Sequence, residues 1–175
     1  MTKMEDFTMA DFAIIKEFEN YNKVKVNGKW GYYDKENNPV IFPNFEYVGD
    51  IQPEGYVTLK QNGRWGCVKV AKYGLLEVCA MEYEYIGSFK NGFAKVTVDG
   101  KDDFIDLNGD VIFEEGFDEV VKVLPNGYAI VRNYGLYGLY GLVNVKEGKQ
   151  VLPCCYSKIT LRGDKVIVQK EVVLA

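Results

Sequence analysis

Hydrophobic and polar side chains alternate with a period of two along much of the chain. The clearest segments are residues 23–26 and 94–98, in which aliphatic residues are interleaved with Lys or Thr. Because successive side chains of a β-strand point to opposite faces, this period predicts strands with one apolar face and one face in water. Helical patterns are scarce, and only residues 9–19 are expected to form one or two turns of helix.

Dipeptides that favour tight turns separate these segments. They are Asn27-Gly28, Asn62-Gly63, Asn91-Gly92, Asp99-Gly100, Asn108-Gly109 and Asn126-Gly127. Asn, Asp and Gly accept the positive φ angles that two-residue hairpin turns require. The sequence therefore predicts a succession of β-hairpins.

An internal repeat organises the hairpins. Trp30-Gly31 and Trp65-Gly66 lie 35 residues apart, and each pair follows Asn-Gly and one basic residue. Counting on in the same frame, Asp102-Asp103 occupies the third Trp-Gly place. In the fourth place a Leu-Tyr-Gly duplication leaves two alternatives: Tyr137 fits the frame counted from the preceding strand, and Tyr140 fits it counted from the following strand.

Three further series keep the same frame. Aromatic residues stand nine positions before each anchor, at Tyr21, Tyr56, Phe93 and Tyr128, and aliphatic residues follow three positions later, at Val24, Leu59, Val96 and Val131. An aromatic residue followed three positions later by an aliphatic one recurs as Phe12/Ile15, Phe45/Val48, Tyr83/Ile86, Phe117/Val120 and Tyr156/Ile159. These series divide a single repeat domain, residues 1–175, into repeats at about 12–44, 45–82, 83–116 and 117–155 and a half repeat at 156–175.

Each repeat is predicted to be a four-stranded antiparallel meander. Its strands are the aromatic-x-x-aliphatic strand, the strand that ends at the Asn-Gly turn, the Trp-Gly strand and a short apolar strand such as residues 40–42. The fold class is therefore all-β, with tandem antiparallel β-meander repeats of about 36 residues in an open or incompletely closed array. The alternative is a small β-propeller.

These residues resemble the bacterial WG repeat family, also called the KWG repeat, whose repeats have this length and centre on a basic residue followed by Trp-Gly after a turn. The first two repeats contain the Trp-Gly motif itself, whereas the third and fourth resemble the family by spacing only. It implies a β-repeat architecture and an interaction role, and it brings no catalytic residues with it.

The Trp-Gly pairs have a physical interpretation of their own. Trp30 and Trp65 are expected to be core residues in the seam between repeats, with Gly31 and Gly66 permitting close backbone approach. The alternative is that the indoles are exposed and stack on a sugar or a peptide.

Composition narrows the classes of partner. The 175 residues are 47% hydrophobic and 26% charged with a net charge of -4, so a nucleic-acid partner is not expected. The sequence shows neither a signal peptide nor an apolar run that could span a bilayer, and we expect a cytoplasmic protein without a membrane partner. The four cysteines lack the spacing of a metal site or a disulfide framework and are expected to be free thiols.

The sequence offers few candidate catalytic or metal-binding residues. The chain contains no histidine, so Ser-His-Asp and Cys-His sites are ruled out. The acidic stretch at residues 102–110 does not fit an EF-hand, and its carboxylates are expected to be solvated around an Asn-Gly hairpin. Of the adjacent Cys154 and Cys155, one is expected to be buried and one exposed. No metal, cofactor or catalytic residue is predicted.

We therefore expect a non-enzymatic interaction module that binds another protein. The first alternative is a module that binds carbohydrate or a cell-envelope polymer through Tyr134, Tyr137 and Tyr140, placed on a protruding loop by the Leu-Tyr-Gly duplication. The second alternative is an enzyme that uses a pair of carboxylates.

Overall fold

A computed structural model describes residues 12–135, 138–163 and 165–170. The chain divides into two compact units, Met1–Tyr83 and Glu84–Ala175. All regular structure in the described ranges is antiparallel β-sheet, none of it closed into a barrel, which confirms the all-β repeat prediction. None of these residues belongs to a helix long and apolar enough to cross a membrane.

The N-terminal unit contains two four-stranded meanders. The first sheet has the order β1-β2-β3-β4 and the second has the order β5-β6-β7-β8. Their strands are β1 (Phe12–Glu17), β2 (Tyr21–Val26), β3 (Lys29–Asp34), β4 (Pro39–Phe45), β5 (Tyr47–Val48), β6 (Tyr56–Gln61), β7 (Arg64–Ala71) and β8 (Gly74–Tyr83).

The C-terminal unit contains a three-stranded sheet, a four-stranded sheet and a two-stranded hairpin. The third sheet has the order β11-β10-β9, the fourth has the order β12-β13-β14-β15, and the C-terminal hairpin pairs β16 with β17. Their strands are β9 (Tyr85–Ile86), β10 (Phe93–Val98), β11 (Lys101–Asp106), β12 (Glu119–Val123), β13 (Tyr128–Asn133), β14 (Leu139–Asn144), β15 (Lys149–Tyr156), β16 (Lys158–Arg162) and β17 (Lys165–Gln169).

The helical turns expected at residues 9–19 are not formed where the chain is described. Residues 12–17 form strand β1, which pairs with β2 so that Ile14 lies opposite Val24. This register also corrects the phase of the Phe12/Ile15 pair, because Ile14 takes the place that Val48 and Val120 take in the later sheets. The long-range pairing with β2 fixes this segment, since the local pattern favours neither state strongly.

The turn chemistry behaves as predicted at four of the six dipeptides. Both residues have positive φ at Asn27-Gly28, Asn62-Gly63, Asn91-Gly92 and Asp99-Gly100. At residues 108–109 and 126–127 only the Gly has positive φ. These two dipeptides therefore belong to other turns than a two-residue hairpin in which both residues have positive φ.

Apart from its first copy, Phe12/Ile15, which lies within β1, the aromatic-x-x-aliphatic motif is not one strand, as the sequence predicted, but the link from one sheet to the next. Phe45 ends β4 and lies opposite Trp30, whereas Val48 lies in β5 opposite Leu59. Tyr156 likewise ends β15, and Ile159 lies in β16 opposite Val168. The aromatic residue thus completes one sheet while the aliphatic residue starts the next.

Hydrophobic cores lie between consecutive sheets within each unit. In the N-terminal unit Tyr32 and Ile41 of the first sheet pack against Val48, Val57 and Leu59 of the second. The Tyr32 hydroxyl donates a hydrogen bond to the Gly49 carbonyl at 2.9 Å, so the buried phenol is paired across the same seam.

In the C-terminal unit the fourth sheet is buried on both faces. Val131 and Val143 pack toward Phe93 and Phe104 of the third sheet. On the other face, Ile130 and Leu142 pack with the partly buried Ile159 and Leu161 of the C-terminal hairpin. The prediction that each strand has one face in water is therefore wrong for the central strands of the fourth sheet, β13 and β14. The third sheet covers one of their faces and the C-terminal hairpin covers the other.

Candidate functional site

The register places the four anchors in equivalent positions. The residue pairs that face each other are Lys25/Trp30 and Val24/Gly31, Lys60/Trp65 and Leu59/Gly66, Thr97/Asp102 and Val96/Asp103, and Arg132/Tyr140 and Val131/Gly141. Tyr140, not Tyr137, therefore occupies the fourth anchor position. Tyr137 lies outside the described residues.

Trp30 and Trp65 are half-buried, which corrects the expectation that both are core residues. Each indole packs against the Tyr47 ring: the ring centroids lie 6.2 Å apart for Trp30 and 5.5 Å apart for Trp65. We call Trp30, Tyr47 and Trp65 the aromatic row. Its members come from both sheets of the N-terminal unit, so the row joins the sheets at the edge of the core.

Lysines cover the aromatic row. Lys25 Nζ lies 5.2 Å from the Trp30 ring and Lys60 Nζ lies 5.5 Å from the Trp65 ring. The nearly buried Lys23 lies 5.3 Å from the Trp30 ring and forms an ion pair with Asp50 at 3.2 Å. These cation-π contacts stabilise the row, and they occupy ring surface that a stacking ligand would need.

The next strand bulges over Gly31 and Gly66 and leaves little room for a side chain at either position. Residues 42–44 of β4 all lie in the stretch opposite Gly31, since Trp30 faces Phe45 and Tyr32 faces Ile41. A Cβ on Gly31 would lie 2.4 Å from the Ile41 carbonyl oxygen, and a Cβ on Gly66 would lie 3.1 Å from the Ala80 carbonyl oxygen. The expected role of these glycines in close backbone approach agrees with this geometry.

The third sheet replaces this arrangement with two aspartates that are buried, not solvated as the sequence predicted. Asp102 is 9% and Asp103 is 3% exposed. Asp102 pairs with Lys95 at 2.6 Å and accepts hydrogen bonds from the Thr97 hydroxyl and the Val120 N–H. Burial alone would raise the pKa of Asp102, but these partners outweigh it and lower the pKa.

Asp103 stands where the other sheets have Gly, and in the described part of the chain no fourth strand of the third sheet crosses over it. A loop lies there instead, and the Asp103 carboxylate accepts hydrogen bonds from the N–H groups of Phe104 at 2.6 Å and Phe113 at 3.2 Å. Burial raises the pKa of Asp103 to about 6. The departure from Trp-Gly is thus explained: the carboxylate satisfies the backbone of a loop that replaces the bulged strand.

Asp106 holds the turn that follows. Its carboxylate accepts hydrogen bonds from the N–H groups of Asn108 and Asp110 at 2.8 and 3.0 Å. Among the residues that the structure places, no three acidic or thiol side chains cluster in a way that could hold a metal ion.

Two of the three tyrosines proposed for ligand binding surround Arg132. The guanidinium donates hydrogen bonds to the hydroxyls of Tyr140 at 3.0 Å and Tyr134 at 3.2 Å and pairs with Glu119. It also lies over both rings, at 5.3 and 4.7 Å from their centroids. Tyr140 is a half-buried residue of β14 and not part of a protruding loop, whereas Tyr134 follows β13 and is 48% exposed.

The cysteines are packed as apolar side chains. Cys67 lies directly opposite Cys79, and burial raises the pKa values of these thiols to about 12 and 11. Cys154 and Cys155 are both half-buried, which corrects the prediction of one buried and one exposed thiol. They lie in the bulge of β15 over Gly141, where the alternation of a regular strand is broken.

A groove at one end of the N-terminal unit was not predicted. Two adjoining cavities of about 370 and 470 Å³ share the lining residues Asn20, Tyr21 and Val70. They lie among the β1–β2 turn, the β5–β6 loop and the β7–β8 turn, and we call them together the loop-end groove. The acidic residues Glu19, Asp34 and Glu54 are among its lining residues.

Tyr73 stands at the β7–β8 turn beside the loop-end groove. Its side chain is 91% exposed, and Leu75 and Leu76 follow it on β8 at 42% and 57% exposure. Lys72 Nζ lies 5.2 Å from the Tyr73 ring. The Lys-Tyr-Gly turn between two apolar runs was visible in the sequence, but nothing local indicated that the aromatic side chain would face solvent.

The comparisons with known proteins agree with the repeat geometry. The family model described as WG containing repeat matches residues 30–65, 77–101 and 104–137. These segments cover more than half of the chain and include most of the third sheet, although the third anchor itself, Asp102-Asp103, lies between two of them. None of the curated proteins compared with the chain matches it. The matched segments run through successive sheets, and the anchors of these sheets occupy equivalent positions. The chain therefore belongs to the family of WG containing repeat proteins.

Proposed function

We propose that this chain is a non-enzymatic module that binds another protein through the loop-end groove of the N-terminal unit. The observation that carries the proposal is Tyr73, a 91% exposed aromatic side chain on a hairpin turn that lines the groove. Tyrosine combines a large apolar surface with few rotatable bonds and is enriched among the residues that dominate binding energies.

The surroundings of Tyr73 support the same proposal. Leu75 and Leu76 add exposed apolar side chains, one on each face, at the start of β8, the outermost strand of the second sheet. Exposed apolar groups that adjoin one another and are bordered by charges are typical of protein contact sites. The carboxylates of Glu19 and Glu54 in the groove favour a partner segment that carries Lys or Arg beside an apolar side chain.

The carbohydrate alternative has less support. The hydroxyls of Tyr134 and Tyr140 already accept hydrogen bonds from Arg132, and the guanidinium covers one face of each ring. Such rings stabilise the fourth sheet more readily than they stack on a sugar.

The test compares the wild type with a Tyr73→Ser/Leu76→Ser variant. Each is immobilised, and the proteins retained from an extract of the cells that produce the chain are quantified by mass spectrometry. We expect a protein that the wild type enriches to be reduced at least tenfold on the double variant, since losing a central aromatic contact costs about 2 kcal/mol or more.

Val111→Ser is the matched control, because Val111 is a 51% exposed aliphatic residue of the other unit. It should retain the partner. Equal recovery on the wild type and the Tyr73→Ser/Leu76→Ser variant would contradict the site, and no enriched protein at micromolar bait concentration would contradict the function.

A further inference from the structure

The C-terminal hairpin has an outer edge with no partner strand among the residues described here. Lys158–Arg162 pairs with Lys165–Gln169, and the other edge of β17 is unpaired within those ranges. Val166, Ile167 and Val168 on this strand are 41%, 45% and 40% exposed. Val166 and Val168 share one face of this edge strand and Ile167 lies on the other, and an edge strand with exposed aliphatic side chains is suited to pairing with another strand.

Comparison with the other repeats shows which strand would pair with this edge. Val168 faces Ile159 as Leu59 faces Val48 and as Val131 faces Val120. Leu59 and Val131 are 1% and 0% exposed, and each lies on a strand that also pairs with a third strand of its sheet. The hairpin therefore corresponds to the first two strands of a repeat, and its exposed valines occupy positions that are core in complete repeats.

The backbone groups of β17 are also oriented to pair with a third strand. The Gln169 carbonyl accepts a hydrogen bond from Ser157 N–H, as the Lys60 carbonyl accepts one from Glu46 N–H. Because backbone groups alternate between the two sides of a strand, Val166 and Val168 direct their N–H and C=O groups away from β16. Their equivalents in β6 use these groups to pair with β7.

A cavity marks where side chains of the missing strand would pack. It has a volume of about 540 Å³ and is lined by Leu124, Leu142, Val151, Leu161 and Val166 among others. In the N-terminal unit Val68 and Val70 of the third strand β7 pack against the corresponding core. The cavity thus matches aliphatic side chains presented by a third strand.

The charge of Lys165 indicates which residue type an incoming strand would carry at one of its ends. Lys165 stands three residues before Val168, at the position of Tyr21 and Phe93 in complete repeats. Those residues face Asp34 and Asp106, whereas Tyr56 and Tyr128, at the same position in the other two repeats, face Lys69 and Asn144. An acidic residue at this place in an incoming strand would lie opposite the Lys165 ammonium.

We propose that the outer edge of β17 binds an extended strand of another polypeptide, antiparallel, in the register of a Trp-Gly strand. The incoming strand has aliphatic side chains that enter the cavity and an acidic residue opposite Lys165. This is a second protein-binding surface, separate from the loop-end groove and built by a different part of the repeat.

Two synthetic peptides of residues 62–71 serve as probes, because β7 supplies the aliphatic residues and its position 69 is the one that would face Lys165. Both carry Cys67→Ser. The acidic peptide also carries Lys69→Asp, and the basic peptide, which is its control, retains Lys69. Binding to the 175-residue chain is measured at low salt by fluorescence anisotropy of the labelled peptides. We expect saturable binding that is about two- to fivefold weaker for the basic peptide.

The charge swap is the decisive comparison. Lys165→Glu should weaken binding of the acidic peptide and strengthen binding of the basic peptide, so that the preference reverses. Val168→Pro, which removes an outward N–H on an edge strand, should weaken both peptides about tenfold. Val166→Lys is a second edge variant, and a Tyr73→Ser variant should bind both peptides normally.

Three results would overturn the proposal: binding that Val168→Pro and Val166→Lys leave unchanged, a preference that does not reverse in Lys165→Glu, or no binding of either peptide. Sedimentation tests for a second copy of the chain at the same edge. If the chain forms concentration-dependent dimers, if Val168→Pro abolishes them and if the peptides do not compete with them, the edge binds a second copy of the chain instead.

Discussion

At the scale of single residues, adjacent side chains of the third sheet show how burial and partners set opposite electrostatic states. Asp102 is paired with Lys95 and its pKa is lowered, whereas burial without a cation raises the pKa of Asp103 to about 6. Both aspartates replace the Trp-Gly pair, one as an ion-pair partner and one as an acceptor for loop N–H groups. The anchor position therefore tolerates different chemistry when the neighbouring strand changes.

Asp103 predicts a pH dependence of stability. Its pKa is about 6 in the folded chain against an ordinary 3.8, so between these values the folded state binds more protons than the unfolded state. Stability contributed by Asp103 therefore falls as pH rises from about 4 to about 6 and stays low above that. Asp103→Asn removes this slope, and the stability of this variant relative to the wild type should rise by about 2 kcal/mol between pH 4 and pH 7.

Urea unfolding of both proteins at pH 4, 5, 6 and 7 measures this difference. Other carboxyl groups contribute equally to the two proteins, so only their difference counts. Parallel pH profiles would show that Asp103 ionises normally in the folded chain.

At the scale of elements, the Trp-Gly strand works through three neighbours at once. The strand before it supplies a cation over the ring, the strand after it bulges across the Gly, and in the N-terminal unit Tyr47 of the next sheet packs between Trp30 and Trp65. The signature is therefore short in sequence but depends on contacts made by separate strands.

Tyr47→Leu tests the aromatic row. It removes two aromatic pairs, so we expect a loss of about 1 to 3 kcal/mol in the free energy of unfolding. The chain contains only two tryptophans, and both contact Tyr47, so the emission spectrum should shift to longer wavelength. Tyr85→Leu is the control, because Tyr85 faces Thr97 in the third sheet as Tyr47 faces Lys60 in the second. A shift of equal size in the Tyr85→Leu control would contradict the prediction.

At the scale of the whole molecule, one repeat position recurs through all the sheets. Val24, Leu59, Val96 and Val131 are at most 1% exposed, whereas Val168 at the same place in the C-terminal hairpin is 40% exposed. The repeat fixes the register everywhere, and the four buried residues all lie on strands that pair with a third strand, whereas β17 has no such partner among the described residues.

This contrast predicts unequal costs for the same substitution. Val131→Ala removes two buried methyl groups and should destabilise the chain by about 2 kcal/mol. Val168→Ala should change stability by no more than about 0.5 kcal/mol. Urea unfolding of both variants measures the two costs, and a loss at Val168 as large as that at Val131 would show that the outer edge of β17 is covered in solution.

The sequence by itself determined the strands, most of the hairpin turns and the repeat frame. Alternation of side chains and the positive φ of Asn-Gly turns act over a few residues, so Asn27-Gly28 fixes the pairing of β2 with β3 without help from distant contacts. Trp30 and Trp65 likewise marked equivalent positions because the same strand recurs.

The tertiary structure alone decided how deeply these residues lie and what meets at each surface. The half-burial of Trp30, the loop that Asp103 holds, the choice of Tyr140 as the fourth anchor and the exposure of Tyr73 depend on strands far apart in the chain. The loop-end groove depends on them too. The physical reason is that burial is set by the stacking of one sheet on the next, whereas the pattern within a strand records only its two faces.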